Sequence, residues 1–125
     1  MRYLLGFAFL LLIISCNNYG KKLKYGTSEV YYTTNVTEDL AKKLGDYLEK
    51  AEFFQAGRRI SVQLDKAADT FLFRMVVKKE FVNNPSYIES GKITITELSQ
   101  NVFDSKPVLV HFCDDHLKTV RIIRL

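Results

Sequence analysis

The sequence predicts an α+β fold, in which an antiparallel β-sheet of about five strands carries two helices on one face, in the order β-α-β-β-α-β-β. Two observations lead to this prediction. Five segments alternate apolar with polar residues, the pattern of strands with one buried face. Two other segments carry apolar residues at helical spacing. Because helices and sheets bury their apolar sides against each other, we expect a single domain over residues 29–125.

The first strand and the first helix have the clearest patterns. Residues 29–34 alternate β-branched and aromatic side chains, which predicts a strand. Gly45 lies inside the next predicted element, a helix over residues 37–54, where glycine costs about 1 kcal/mol relative to alanine. Such a glycine indicates a close approach to the sheet. The helix is predicted from one apolar stripe, which consists of Leu40, Leu44, Tyr47, Leu48 and Ala51.

Two hairpins and a second helix account for the rest of the chain. Residues 60–65 and 71–78 alternate around a turn at residues 67–69 and predict an antiparallel hairpin. Asn83-Asn84-Pro85 then breaks the pattern. Residues 86–103 favour a helix, although the part from residue 86 to residue 96 also suits a strand. A last hairpin is predicted from the alternation in residues 108–113 and 119–125.

The first fifteen residues have the layout of a secretory signal peptide. Arg2 precedes an apolar run over residues 4–14, which is shorter than the roughly 20 residues that a membrane-spanning helix needs. The end of this run, Ile13-Ile14-Ser15-Cys16, resembles the lipobox of bacterial lipoproteins. The resemblance implies that Cys16 becomes the first mature residue and carries a diacylglycerol on its sulfur, usually with an N-acyl chain. The alternative is an uncleaved or plainly secreted signal with a cysteine there by chance.

The lipobox resemblance also implies a location in the bacterial envelope, with the lipid bilayer as a partner through acylated Cys16. Asn17 and Asn18 follow, and no aspartate stands beside the cysteine, which favours the outer membrane and an orientation toward the periplasm. Residues 16–28 contain two glycines and three lysines with little apolar periodicity. They predict the lipidated cysteine followed by a flexible tether.

Charge, cysteine content and motifs restrict the classes of function. The formal net charge is +4, and removal of Arg2 with the signal peptide lowers it, so we expect no nucleic-acid partner. With Cys16 lipidated, Cys113 has no partner for an internal disulfide and is expected to be a buried, small apolar residue. The sequence contains no serine elbow, phosphate-binding glycine loop or paired-histidine metalloprotease motif. It therefore predicts neither an enzyme nor a cofactor.

The densest group of potentially reactive side chains lies at the end of the fourth predicted strand. His111 and Cys113 point the same way on a strand, and a turn could bring Asp115 or His116 toward them. A metal site needs three or four convergent ligands, and this spacing matches no zinc motif. We therefore predict no metal site and expect a strand end followed by an acidic turn. Metal ligation by these four residues and Cys-His nucleophilic catalysis are the alternatives.

If both helices cover one face of the sheet, the other face meets water or a partner, and we call it the open face. Its mixture of arginine, tyrosine and aliphatic residues is typical of protein interfaces. A solvated face with scattered apolar residues is the alternative. The alternation places these residues on the open face: Tyr31, Arg59, Ser61, Gln63, Leu72, Arg74, Val76 and Arg121, extended by His111 and Ile123.

The sequence thus predicts a small lipoprotein that binds without catalysis, its open face engaging another envelope protein or a second copy of the chain. The alternative function is an inhibitor or immunity-type lipoprotein that blocks an envelope enzyme through a protruding loop. Residues 55–59 and 114–118 are the candidate loops. Beyond the lipobox, the mature domain resembles no characterised family.

Overall fold

The computed structural model describes residues 19–55 and 57–125, so the predicted signal peptide and Cys16 lie outside the described residues. Within the described chain, no helix is long and apolar enough to cross a membrane. The elements are β1 (Lys21–Tyr25), β2 (Ser28–Tyr32), α1 (Glu38–Lys50), β3 (Ser61–Ala67), β4 (Thr70–Val76), a 3₁₀ turn (Lys79–Phe81), α2 (Pro85–Asn101), β5 (Val108–Cys113) and β6 (Thr119–Ile123).

The sheet has six strands in the order in which they occur along the chain. Three antiparallel hairpins, β1–β2, β3–β4 and β5–β6, are joined by parallel pairings of β2 with β3 and of β4 with β5. The predicted α+β fold with two helices is confirmed. The described residues form six strands where about five were expected, and the expectation of an antiparallel sheet is wrong for two of the five pairings, because each helix carries the chain back along the sheet before the next strand begins. That crossover makes the strands on either side of the helix parallel.

Strand β1 replaces most of the predicted tether. Lys21–Tyr25 pairs with the whole of β2, with Leu23 opposite Val30, so the prediction of a flexible segment over residues 16–28 is wrong for this part. Its lysines belong to an edge strand, where lysine protects the open edge from pairing with other chains. On the other side of the strand, the Tyr25 hydroxyl donates to Asp46 Oδ1 at 3.0 Å and fastens the strand to α1.

Helix α1 confirms the first predicted helix and the reason for its glycine. The Thr37 hydroxyl accepts from the backbone N–H of Leu40 at 3.2 Å and caps the N-terminus. The ring of Tyr25 lies directly against Gly45, at the place where any larger residue would put its Cβ. The helix ends at Lys50, earlier than predicted, because Glu52 adopts a left-handed conformation with φ of 62° and turns the chain back toward the sheet.

Helix α2 confirms the preference for a helix over a strand between the two hairpins. The Asn84 side chain accepts from the backbone N–H groups of Ser86 and Tyr87, and Pro85 occupies the first turn, so strong start signals favour the helix. Gly91 packs against Phe112 and Ile123 of the sheet. Both helices therefore cover the same face, and between them and the sheet lies one apolar core.

The open face of the sheet

The second face of the sheet carries neither described helix, and the strand register brings the predicted binding residues together on it. Tyr31 on β2 stands opposite Gln63 on β3, and Gln63 stands opposite Arg74 on β4. Arg74 in turn stands opposite His111 on β5. Since side chains at paired positions point to the same face, these residues form a row across four strands. Leu72 and Val76 flank Arg74 on β4, as predicted.

A buried carboxylate organises one end of the open face. Glu29, on β2, is 1% exposed and accepts hydrogen bonds at Oε1 from Arg59 Nη2 at 2.9 Å and from Ser61 Oγ at 3.0 Å. The Nζ atoms of Lys22 and Lys24 approach its other oxygen at 3.8 and 3.9 Å. We call Lys22, Lys24 and Arg59 the cationic patch. One buried negative charge thus holds three cations that come from two separate segments.

Glu29 is ionised at neutral pH. Burial alone would raise the pKa of its carboxyl, but the hydrogen bonds from Arg59 and Ser61 and the positive charges of Arg59 and Lys22 outweigh burial and lower the pKa below 4.5. Glu29 is not among the predicted site residues, because the alternation of β2 places it on the open face without indicating that it is buried. The signal available was its position: an acidic residue five to seven residues after Lys22 and Lys24, in a strand.

A second hydrogen-bond network fixes the middle of the open face. Arg74 donates from Nη1 to Gln63 Oε1 at 2.6 Å and from Nη2 to Thr119 Oγ1 at 2.8 Å. The amide of Gln63, 3% exposed, donates in turn to the backbone carbonyl of Tyr19 at 2.9 Å. Arg74 is therefore held in one orientation by partners from β3 and β6.

His111 belongs to the same network. Its Nδ1 lies 2.9 Å from the Thr119 hydroxyl, which can donate to this nitrogen while it accepts from Arg74. Burial and the positive charges of Arg74 and Arg124 lower the pKa of His111, so the imidazole is neutral at pH 7. His111 therefore adds no positive charge beside Arg74 at neutral pH.

A pocket of about 320 Å³ opens between the two networks. The rings of Tyr19 and Tyr31 form part of its wall and meet edge to face, with centroids 5.4 Å apart. Tyr19 lies two residues before β1, so this wall adjoins the start of the sheet. The other lining residues are Glu29, Arg59, Ser61, Val76, Asp115 and Leu117.

Two residues predicted for the open face lie on the helix-covered face. The pairing of β5 with β6 shifts register between Phe112 and Cys113, which leaves an extra residue in β6 and reverses the alternation there. Arg121 consequently stands opposite Phe112 and donates to Asn83 Oδ1 at 2.7 Å. Ile123 is buried in the core. The prediction was wrong for both residues because a bulge cannot be seen in the alternation of one strand.

The four weak metal candidates do not converge. Cys113 is buried, as expected, and burial raises the pKa of its thiol. Asp115 and His116 are exposed on the turn after β5, with Asp115 Oδ1 and His116 Nε2 3.7 Å apart. In the described part of the chain, no group of three or more His, Cys, Asp or Glu side chains could hold a metal ion.

The two candidate inhibitory loops are fastened to the domain where the structure describes them. In the loop at 114–118, Leu117 is 5% exposed, and the Asp114 carboxylate accepts from the backbone N–H groups of His116 and Lys118. In the loop at 55–59, the Arg58 carbonyl accepts from the hydroxyl of Thr27 at 2.8 Å. The loop at 114–118 is thus closed by its own hydrogen bonds around Leu117. The loop at 55–59 is tied at Arg58 to the turn between β1 and β2, and its described residues are exposed.

Comparison with known proteins places the domain in a family. Residues 22–123 match AF_1994_N, described as a family N-terminal domain. No curated protein and no solved structure matches the chain. Because the match runs from within β1 to the end of β6 and covers most of the chain, the protein belongs to the AF_1994_N family.

Proposed function

We propose that the protein is a bacterial envelope lipoprotein, held in the membrane by acylated Cys16, whose open face binds another envelope protein without catalysis. The observation that carries the proposal is the fixed position of Arg74 at the centre of a sheet face that neither described helix covers. The lipobox resemblance of Ile13-Ile14-Ser15-Cys16 supports the membrane attachment. Asn17 and Asn18 favour the outer membrane and a domain that faces the periplasm.

The order of the open face supports binding over a merely solvated surface. An arginine on a solvated face is free to move, whereas Arg74 is held by Gln63 and Thr119. Side chains that are fixed before association lose little conformational entropy when a partner binds. Val76 is 36% exposed beside Arg74, so an apolar contact accompanies the charge. Arginine and tyrosine with aliphatic neighbours are typical of the centre of interfaces.

The chemistry of the open face supports a role without catalysis. The thiol of Cys113 is buried, and its raised pKa keeps it protonated, whereas a nucleophilic cysteine needs an exposed thiolate. The Glu29 carboxylate is ionised and bound on one oxygen by Arg59 and Ser61, so it is a structural ion and a poor acid or base.

Membrane attachment is tested by Cys16→Ser. We expect this variant to remain unprocessed or to leave the membrane fraction, because the diacylglycerol is attached to the cysteine sulfur. Incorporation of radiolabelled acyl chains and fractionation of envelopes measure the outcome. Cys113→Ser is the matched control, and this variant should still be acylated at Cys16. Unchanged acylation of Cys16→Ser would contradict the lipobox assignment.

Binding through the open face is tested by affinity capture from native envelopes with the acylated protein and its Arg74→Glu variant. We expect a partner retained by the wild type to be reduced about tenfold or more in the variant, because the charge reversal also removes two ordered hydrogen bonds. Val76→Glu changes the same face without touching the network and should give the same loss.

The control for this experiment is Lys43→Glu, an equal charge reversal on the exposed side of α1. It should retain the partner at the level of the wild type. Equal retention by all variants would contradict the proposed binding face. Sedimentation of the purified protein distinguishes another envelope protein from a second copy of the chain as the partner. If the partner is a second copy, the wild type sediments as a dimer and Val76→Glu as a monomer.

A further inference from the structure

We propose that the cationic patch, with the adjoining rings of Tyr19 and Tyr31, lies on the anionic headgroups of the same membrane that holds Cys16. The open face then has two parts with different partners. The end at β1 and β2 faces lipid, and the end at β4 to β6 remains for protein. This inference rests on the proposed lipidation of Cys16, and its test distinguishes the failure of one from the failure of the other.

Only a short stretch of chain separates the lipid from the fixed part of the domain. Three residues of chain lead from Cys16 to Tyr19, and a fully extended chain spans at most about 3.6 Å per residue, hence about 11 Å in total. The headgroup layer alone is roughly 5 to 8 Å thick on each side of the bilayer. The point at which the chain enters the domain therefore stays close to the membrane surface.

Tyr19 is fixed on the open face. Its carbonyl accepts from the buried amide of Gln63, and its ring packs against Tyr31. Gly20, which follows, has φ of 92° and lies so close to the Tyr32 carbonyl that no larger side chain fits there. These contacts prevent the chain from swinging away from the sheet. The lipid is therefore tethered to the open-face side of β2 and β3.

The surface beside Tyr19 and Tyr31 carries an excess of positive charge. The nitrogens of Lys22, Lys24 and Arg59 all lie within 3.9 Å of a Glu29 oxygen, so one carboxylate faces three positive charges. The side chains of the patch are 44%, 62% and 73% exposed, so their outer sides are available to a second anion. Asp115 also lines the pocket. The three cations still outnumber the two carboxylates of Glu29 and Asp115, so the net charge is positive. Lipid phosphates beside an acylated cysteine supply the matching charge.

The opposite side of the domain lacks this complementarity. The exposed surface of α1 mixes both signs, with acidic residues at one helical turn from basic ones. This helix also lies across the sheet from Tyr19, so the short connection to Cys16 keeps it away from the lipid. Two exposed lysines of α1, Lys42 and Lys43, therefore provide internal controls.

The test uses the processed, acylated protein reconstituted into vesicles of phosphatidylcholine alone or with added phosphatidylglycerol. A limiting amine-acetylating reagent is applied, and the modification of each lysine is measured by mass spectrometry. We expect Lys22 and Lys24 to react about fivefold more slowly in the anionic vesicles, while Lys42 and Lys43 react equally in both. A variant with fifteen Gly/Ser residues inserted between Asn18 and Tyr19 should lose most of this protection.

Each other outcome overturns the inference in a recognisable way. If the N-terminal peptide carries its acyl chains and the protein sediments with vesicles, but Lys22 and Lys24 react equally in both lipids, the membrane contact is wrong and the lipidation stands. An N-terminal peptide without acyl chains overturns both. Protection that is independent of phosphatidylglycerol and rises with protein density would assign the patch to contact between copies and would overturn the lipid contact.

Discussion

Replacement of Phe73 by alanine is expected to lower the free energy of unfolding by about 3–5 kcal/mol. Phe73 lies at the centre of β4 with no exposed surface, and its register partners are Leu64 on β3 and Val110 on β5. Its ring also meets that of Phe53 edge to face at 6.0 Å, so truncation opens a cavity in the middle of the core. Urea denaturation followed by circular dichroism measures the loss.

The neighbouring residue on β4 supplies the matched control. Leu72 lies one position away and points to the open face, where it is half-buried. Leu72→Ala removes a side chain outside the core and should cost about 1 kcal/mol or less. Its effect is expected in the capture experiment instead, as weaker retention of the partner. Losses of equal size for the two variants would contradict the assignment of the two faces.

The alternation of β4 shows what the sequence determines well. Phe71, Phe73 and Met75 were predicted to share an apolar face, and the structure places all three on the side of the helices. The side-chain period of a strand is two, so local sequence determines which residues share a face. For the same reason, Tyr31, Gln63, Leu72, Arg74 and Val76 could be grouped on the open face before any strand pairing was known.

Strand β1 shows why local sequence is insufficient to predict an edge strand. Its three lysines and two flanking glycines have the composition of a linker, and only Leu23 and Tyr25 carry the apolar period. These two side chains are partly buried, Leu23 opposite Val30 in the same hairpin and Tyr25 against α1, where its hydroxyl meets Asp46, 21 residues further along the chain. The strand forms because β2 pairs with it and α1 packs against it. Strand propensity depends on such neighbours, and the local sequence of residues 21–25 does not identify them.

The remaining differences arise from relations between strands. The parallel pairings depend on where each helix returns the chain, and the displacement of Arg121 depends on one extra residue opposite Cys113. The burial of Glu29 likewise depends on ligands from β1 and from the residues that begin β3. Each of these features is a property of a pair of segments, so the pattern of one segment could not predict it.

Glu29→Gln is expected to lower the free energy of unfolding by about 2 kcal/mol at neutral pH. Gln is nearly isosteric, but its amide replaces one carboxylate oxygen by a donor beside the donors of Arg59 and Lys22. Removing one partner of a fully buried ion pair typically costs about 3–5 kcal/mol, and the high exposure of Arg59 reduces the expected loss. Chemical denaturation measures it, with Glu49→Gln on the exposed side of α1 as a control that changes stability by less than about 0.5 kcal/mol.

The pH dependence gives this prediction a second readout. Because the pKa of Glu29 is lower in the folded protein than its ordinary value of 4.5, its stabilisation is present above pH 4.5 and is lost as the pH falls through the folded-state pKa. The wild type should therefore approach the stability of Glu29→Gln in acid. A constant difference between the two proteins from pH 7 to the acid transition would show that the carboxylate charge does not contribute.

The response to salt should have opposite signs in the two proteins. In the wild type, the attraction of Glu29 for the cationic patch exceeds the repulsion among the three cations, so screening by salt removes a net stabilisation. In Glu29→Gln only the repulsion remains, and added salt should raise stability. This reversal separates a charge effect from a packing defect, because a defect in packing would shift both curves equally.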